Sequence, residues 1–287
     1  MSIEIKNLSY TYNNPGSENG SRFVLKNISA TIKKDEITAI IGPTGSGKST
    51  LVQHLNLLLH ASEGDILYDG RSIYGDDFDR KTLRASVGLV FQYPEYQLFE
   101  NDIFTDVCFG PKNLGLEKDE VESRAKKALL AVGFSDSDFS RSPFELSGGQ
   151  RRRAAIAGVL AMQPEYLVLD EPAAGLDPRG RCELFEMLRR LHDENGVGIV
   201  LVSHSMDDVA DFAEKILVLN DGRVIFDDTP ERIFSHGEEL RTVGLDVPQA
   251  AKLAETLRGY GFDLPQGLIT MDRLRTAITD CFNRGDK

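Results

Sequence analysis

Residues Gly42-Pro43-Thr44-Gly45-Ser46-Gly47-Lys48-Ser49 fit the pattern G-x-x-x-x-G-K-[ST], a loop that wraps nucleotide phosphates. Its glycines let backbone N–H groups turn toward one point without a Cβ in the way, so several donors converge on phosphate oxygens. A helix starting near Lys48 and running from Thr50 through Leu59 would add the positive end of its dipole. Lys48 is expected to reach the β- and γ-phosphates, and the Ser49 hydroxyl to ligate Mg²⁺. The chemistry this implies is the binding of ATP or GTP.

A second constellation, Leu167-Val168-Leu169-Asp170-Glu171-Pro172, ends an apolar run in two carboxylates. A carboxylate at the end of a buried parallel strand sits at the sheet edge where open α/β folds bind ligands. Asp170 is expected to hold Mg²⁺ through its water shell, and Glu171 to polarise the water that attacks the γ-phosphate. A third, Leu146-Ser147-Gly148-Gly149-Gln150, stands immediately before an expected helix over Arg151–Met162. A serine and two glycines at a helix N-terminus can bind an anion or simply cap the helix.

These residues need a frame, and the pattern of apolar residues supplies one. Ile37–Ile41, Tyr166–Leu169 and Ile199–Val202 are unbroken apolar runs of the kind covered on both faces in a parallel sheet. Ser2–Ile5, Phe23–Leu25, Ile28–Ile32 and Ile66–Tyr68 read as further strands, the first ones antiparallel, with a turn-rich loop over Asn13–Gly20. Val121, Ala125, Ala128, Leu129 and Val132 have helical spacing within a mainly helical insert. Asn220-Asp221-Gly222 between two apolar runs predicts a hairpin. Two amphipathic stretches, Pro248–Tyr260 and Met271–Phe282, follow as a small helical appendage. The fold class expected is α/β.

The chain has 287 residues and a formal net charge of −12. That charge argues against a duplex-binding surface and against adhesion to anionic lipid. The one dense basic cluster, Arg151-Arg152-Arg153, reads as an exposed helix turn with one packed arginine. No apolar stretch approaches the ~18 residues of a membrane span, and the first ten residues lack the layout of a signal peptide. Cys108, Cys182 and Cys281 are irregularly spaced and suggest neither a disulfide framework nor a zinc site. The expectation is a cytoplasmic protein held at any membrane by another protein.

Taken in order, Lys48, Gln92, Ser147, Asp170 and His204 resemble the marks of ATP-binding-cassette ATPases. Ser147–Gln150 matches the signature motif, Gln92 the Q-loop, Ala174-Gly175-Leu176-Asp177 the D-loop, His204 the switch histidine, and Tyr12 the aromatic that stacks on adenine. The resemblance implies a P-loop cassette with a mixed, mainly parallel sheet, an antiparallel β subdomain and a helical insert at about 95–160. The cassette would span 1–235, and 236–287 would be an appendage able to contact a second copy. It implies ATP and Mg²⁺ as ligands. Mg²⁺ would be met by Ser49, Gln92 and Asp170, and the nucleotide by Tyr12 and by Gly42, Pro43, Thr44, Gly45, Ser46, Gly47, Lys48, Ser49 and Thr50. Glu171 and His204 would be catalytic. Ser147, Gly148, Gly149 and Gln150 would act on the partner cassette's nucleotide, and Asp177 would lie at the dimer contact.

Phe91–Phe99, Asp106–Pro111, Arg152–Leu160 and the tail near Val247-Pro248 resemble the ATPase subunits of energy-coupling factor transporters, with Asp170–Pro178 closer to the A-prime type. The departure at Ala173, where Thr or Ser is commoner, removes no catalytic group. That family imports vitamins and transition-metal ions. Its ATPase pair consists of two copies or two paralogues. It works with a membrane coupling protein, the T component, and an exchangeable substrate-capturing S component, with the ATPases peripheral on the cytoplasmic face. The resemblance implies that Glu95, Gln97, Leu98, Phe99 and Glu100 dock the coupling protein, the acids meeting its arginines. The alternative for Leu98 and Phe99 is that they are core for the insert. Two other functions compete: a conventional binding-protein-dependent importer, and a cassette of DNA repair or translation. The single cassette without long heptads and the acidic charge disfavour the latter, and no nucleic-acid partner is expected.

Overall fold

The computed structural model describes residues 1–12 and 23–284, so the loop expected at Asn13–Gly20 lies outside the described residues. Strands β1 (Ser2–Thr11) and β2 (Phe23–Lys33) precede β3 (Thr38–Ile41) and helix α1 (Lys48–Leu55). β4 (Glu63–Tyr68) and β5 (Arg71–Ser72) follow, then α2 (Arg80–Ser86) and β6 (Val87–Val90). The insert holds α3 (Ile103–Val107), α4 (Phe109–Leu114), α5 (Lys118–Ala131) and α6 (Gly148–Leu160). Then come β7 (Tyr166–Asp170), α7 (Pro178–Asn195), β8 (Gly198–Val202), α8 (Met206–Phe212), β9 (Lys215–Asn220) and β10 (Arg223–Asp228). Helices α9 (Pro230–Ser235), α10 (Gly237–Thr242), α11 (Gln249–Gly259) and α12 (Met271–Arg284) end the described chain.

The strands form two sheets. One is antiparallel, in the order β2-β1-β4-β5; the other runs β10-β9-β3-β8-β7-β6. In the second, β6, β7, β8, β3 and β9 are parallel, and β10 returns antiparallel through the expected Asp221-Gly222 turn. This is a mixed α/β architecture, as the sequence predicts.

Successive strand residues point to opposite faces, and the buried clusters follow that period. Leu167, Leu169, Ile199 and Leu201 face the insert and α7. Tyr166, Val168, Val200 and Val202 face α1 and the antiparallel sheet. β7 and β8 are buried along their whole length, which is why their sequences read as continuous apolar runs.

Two helix boundaries differ from expectation. α1 stops at Leu55 because Leu57 turns left-handed, with φ +58°, and buries its side chain in the core shared by α1 and the two sheets. Burying a leucine gains about 1.5–3 kcal/mol, enough to offset the roughly 1–2 kcal/mol cost of that backbone over most of that range. The signature helix α6 begins at Gly148, ahead of the expected Arg151, because Ser147 caps it.

After α9 the chain keeps packing on the sheet. Phe234, Leu240, Val247 and Ile269 share a cluster with Ala39 and Ile41 of β3. A separate small core, including Ala250, Ala254, Leu264, Leu274 and Cys281, holds α11 and α12 together. Among the described residues Cys108, Cys182 and Cys281 form no disulfide.

Candidate nucleotide-binding site

Four adjacent parallel strands deliver the candidate residues to one edge of the sheet. β3 leads into Gly42–Ser49, β8 into Ser203-His204, β7 into Glu171 and β6 into Gln92. The register is tight: Val202 pairs with both Ile40 and Asp170, and Leu169 with Val90. Residues far apart in sequence therefore leave the sheet at one level, at the C-terminal edge where such sheets bind ligands.

In the Gly42–Ser49 loop, Gly47 takes φ +102°, and a Cβ there would lie 2.7 Å from Leu25 Cδ2. Only glycine fits both demands. Gly47 is also the N-cap of α1, with no side-chain cap, so the first N–H groups of the helix are free of side-chain partners. Lys48 is buried, and its ammonium donates to the carbonyls of Gly42 at 2.7 Å and Pro43 at 3.0 Å. Burial pulls its pKa down, while the charges of Glu171 and Asp170 act the other way. The Ser46 hydroxyl is buried without a hydrogen-bond partner, and Ser49 is exposed beside it. A buried ammonium and an orphaned hydroxyl at an uncapped helix N-terminus suit an anion of several oxygens. Tyr12 stands over this helix: its hydroxyl is 3.2 Å from Thr50 Oγ1, and its ring packs edge-on against Tyr10.

Glu171 lies between two of the other candidates. Its Oε1 is 2.8 Å from His204 Nε2, and its Oε2 accepts from Gln92 Nε2 at 3.2 Å. Its backbone is left-handed, φ +51°, held by its N–H donating to the Val202 carbonyl at 3.0 Å. Asp170 is buried at the strand end. Among the described residues no group of three His, Cys, Asp or Glu could hold a metal. A cation here would take one carboxylate, a hydroxyl and an amide, completing its shell with phosphate oxygens and water. That oxygen-rich, incomplete donor set fits Mg²⁺.

Ser147–Gln150 lines a different surface. Ser147 and Gln150 form a reciprocal cap, Gln150 N–H to Ser147 Oγ at 3.2 Å and Ser147 N–H to Gln150 Oε1 at 3.0 Å. The capping reading is therefore correct as local structure. The cavity beside it, about 690 Å³, is lined by Ser147–Gln150 with Gly175, Leu176 and Asp177, and by no residue of 42–50. Asp177 caps α7 through Gly180 N–H at 2.8 Å. The structure thus brings Gln92, Asp170, Glu171 and His204 together with the phosphate-type loop, and leaves Ser147–Gln150 and Asp177 facing elsewhere.

A family model described as ABC transporter matches residues 25–174. The chain is 48% identical over 280 residues to the energy-coupling factor transporter ATP-binding protein EcfA2 of Clostridioides difficile strain 630, spanning 97% of this chain and 96% of that protein. With EcfA2 of Clostridium perfringens strain 13 it shares 44% identity over 281 residues, 98% of each. The chain belongs to the energy-coupling factor ABC transporter ATP-binding proteins. Solved structures agree in fold. CbiO1 from Clostridium perfringens, described as part of the ABC transporter complex cbiONQ, matches with a TM-score of 0.73 at 37% identity over 89% of this chain and 98% of its own. The cassette MJ0796, solved as a post-hydrolysis dimer with ADP and Pi, matches with a TM-score of 0.67 at 30% identity over 79% of this chain and 98% of its own.

In this energy-coupling factor ATPase the segment after Gln92 needs one correction. Glu95 is not a free acid awaiting a partner's arginine. Its carboxylate accepts from Arg152 Nε at 3.0 Å and Nη2 at 2.6 Å, and the pair is largely buried. Leu98 packs half-buried on the insert, whereas Phe99 and Tyr96 are 63% and 82% exposed. Gln97 is exposed and Glu100 half-buried. The Arg152–Glu95 pair is what sequence reasoning missed. Arg152 lies one turn before the buried Ile156 on α6, so its helix face marks it as inward, but nothing local to Glu95 names its partner.

Proposed function

We propose that this chain is the ATP-hydrolysing subunit of an energy-coupling factor importer for vitamins or transition-metal ions, working as one of a pair of cassettes. The observation that carries the reading is the Glu171 carboxylate held on both oxygens, by Gln92 and His204, beside the Lys48 loop. Lys48 and the loop N–H groups bind the β- and γ-phosphates, Thr50 and Pro43–Ser46 complete the cradle, and Tyr12 stacks on the base. Ser49, Gln92 and Asp170 would hold Mg²⁺, which supplies charge stabilisation at the phosphates when bound.

Glu171 then accepts the proton of a water attacking the γ-phosphate, giving ADP and phosphate. With both oxygens anchored, its remaining lone pairs keep a fixed aim, and His204 holds the carboxylate's tilt. Ser147, Gly148, Gly149 and Gln150 serve the nucleotide of the opposing cassette, with Asp177 at the contact. Each site is therefore complete only in the pair, which excludes water as it closes. The chain would divide into a cassette over 1–235 and an appendage over 236–287 that adds to the pair contact.

No helix among the described residues is long and apolar enough to cross a membrane. The proposed attachment is peripheral, on the cytoplasmic face, through a membrane coupling T component that also carries an S component. The test is affinity purification of the full-length chain from its own host, followed by mass spectrometry and ATPase assay. The reading requires ATP turnover and co-purification of a second cassette with a small membrane protein carrying bound substrate. An extracytoplasmic binding protein as the substrate carrier would reassign the chain to a conventional importer.

A further inference from the structure

The Arg152 guanidinium joins three segments that are remote in sequence. It rises from α6, the helix whose first turn is Ser147–Gln150, and is 2% exposed. Nε and Nη2 grip both oxygens of Glu95, in the short helical turn Pro94–Gln97 that follows Gln92. Nη1 donates at 2.7 Å to the carbonyl of Pro172 and at 2.7 Å to that of Ala174, in the loop between Glu171 and Asp177. The fork of an arginine suits this arrangement, since a carboxylate takes two parallel donors and the third nitrogen is left for the carbonyls.

The two ends of this network do different work. Gln92 and Glu171 face the chain's own nucleotide in the proposed reading; Ser147 and Asp177 face the partner's. Each end lies within a few residues of a segment that Arg152 holds. A shift of Gln92 or Glu171 that moved either neighbouring segment alone would break buried, charge-assisted hydrogen bonds, so α6, the turn after Gln92 and the loop after Glu171 travel together.

We infer that Arg152 and Glu95 are positioning residues that transmit the state of the chain's own nucleotide site to the Ser147 surface, an inference that rests on the proposed ATPase reading. The pair touches neither nucleotide. Its part is to fix the angle of α6 against the Gln92 and Glu171 segments, and so to set whether both halves of the paired site close in register. Acid–base pairing alone is insufficient, because the carbonyls of Pro172 and Ala174 need the Arg152 donors.

The test uses the full-length chain and the assembled complex with Glu95→Gln, Arg152→Lys and the exchange Glu95→Arg with Arg152→Glu. Nucleotide affinity of the chain and KM of the complex should stay within about threefold of wild type, while kcat falls at least about tenfold. The exchange should not restore the rate, since a carboxylate at position 152 would face two carbonyls. Unchanged kcat would overturn the inference. So would affinity and kcat falling together with melting temperature, the mark of a purely structural role, or recovery by the exchange, the mark of a bare ion pair. Where Glu95→Gln fails to accumulate as folded protein, Arg152→Lys carries the same comparison. A wild-type complex without ATP turnover would sink the functional reading itself, a result separate from any of these.

Discussion

His204 Nε2 stands 2.8 Å from Glu171 Oε1, so the side chains beyond two neighbouring parallel strands meet across the strand ends. Glu171 makes the contact from a left-handed backbone, φ +51°, one residue past the end of β7. A non-glycine residue held there costs roughly 1–2 kcal/mol, and strain of this kind collects at functional sites.

Glu171→Gln keeps the shape of this side chain and removes its basicity. We expect ATP binding to persist, kcat of the complex to fall by ~10²–10⁴, and ATP-bound cassettes to accumulate as a closed pair. Steady-state ATPase assays with light scattering measure both. Turnover within about threefold of wild type would remove Glu171 from the role.

Lys48→Ala should act on binding. The charge-assisted contact to phosphate is worth about 1.5–3 kcal/mol, so affinity for a labelled ATP analogue should drop by roughly 10- to 150-fold. Lys48 also donates to the Gly42 and Pro43 carbonyls, so some loss of melting temperature is expected as well. Unchanged affinity would mean that the loop's backbone donors suffice.

How far the sequence could be read depends on how local each determinant is. The phosphate-type loop, the buried strands β7 and β8 and the Asp221-Gly222 hairpin are written in contiguous residues, and each formed as expected. The end of α1 did not, because it is decided by Leu57 finding a place in a core built from elements remote in sequence. Glu95 failed for the same reason: its neighbours look like an acidic surface, while its partner Arg152 arrives only when α6 packs against the turn after Gln92. The adjacency of Gln92, Glu171 and His204 follows from strand order, which no local pattern contains. It entered through family resemblance and is matched by the geometry.

The Glu95 carboxyl carries a pH signature. Burial pushes its pKa up, but hydrogen bonds and charge from Arg152 outweigh that and hold it below the ordinary 4.5. A depressed folded-state pKa gives stability that is present above the unfolded value and lost as pH falls through the folded one. The melting-temperature gap between wild type and Glu95→Gln should therefore be full at neutral pH and narrow below about pH 4.5. Thermal melts across that range decide it; a gap that widened in acid would contradict the assignment.

Ser147→Arg separates the two halves of the site. Ser147 lines a cavity that contains no residue of the Lys48 loop. The full-length chain alone should bind ATP normally, while the assembled pair loses hydrolysis because the longer side chain blocks closure. Loss of ATP binding by the single chain would show that Ser147 acts in its own site.

The surface after Gln92 gives the last expectation, altered by what Glu95 does. With Glu95 held by Arg152, the proposed contact with a membrane partner would fall to Tyr96, Gln97, Phe99 and the half-buried Glu100. Tyr96 and Phe99 are 82% and 63% exposed, and Phe99 packs edge-on against the half-exposed Phe109. The backbone beneath is fixed, since the Asp106 carboxylate accepts from the N–H groups of Phe99 at 2.8 Å and Glu100 at 3.0 Å. Aromatic side chains on a preorganised turn make strong anchors, because little ordering remains to be done on binding. Leu98 does not belong to this group; it packs inward on the insert. Charge reversal at Glu95 would be an ambiguous probe, because it breaks an internal ion pair. The double substitution Tyr96→Ala, Phe99→Asp leaves that pair intact. It should weaken co-purification with the membrane partner or lower substrate uptake per ATP hydrolysed, while the chain's affinity for ATP stays normal. Full assembly with full uptake would exclude this turn as the coupling surface.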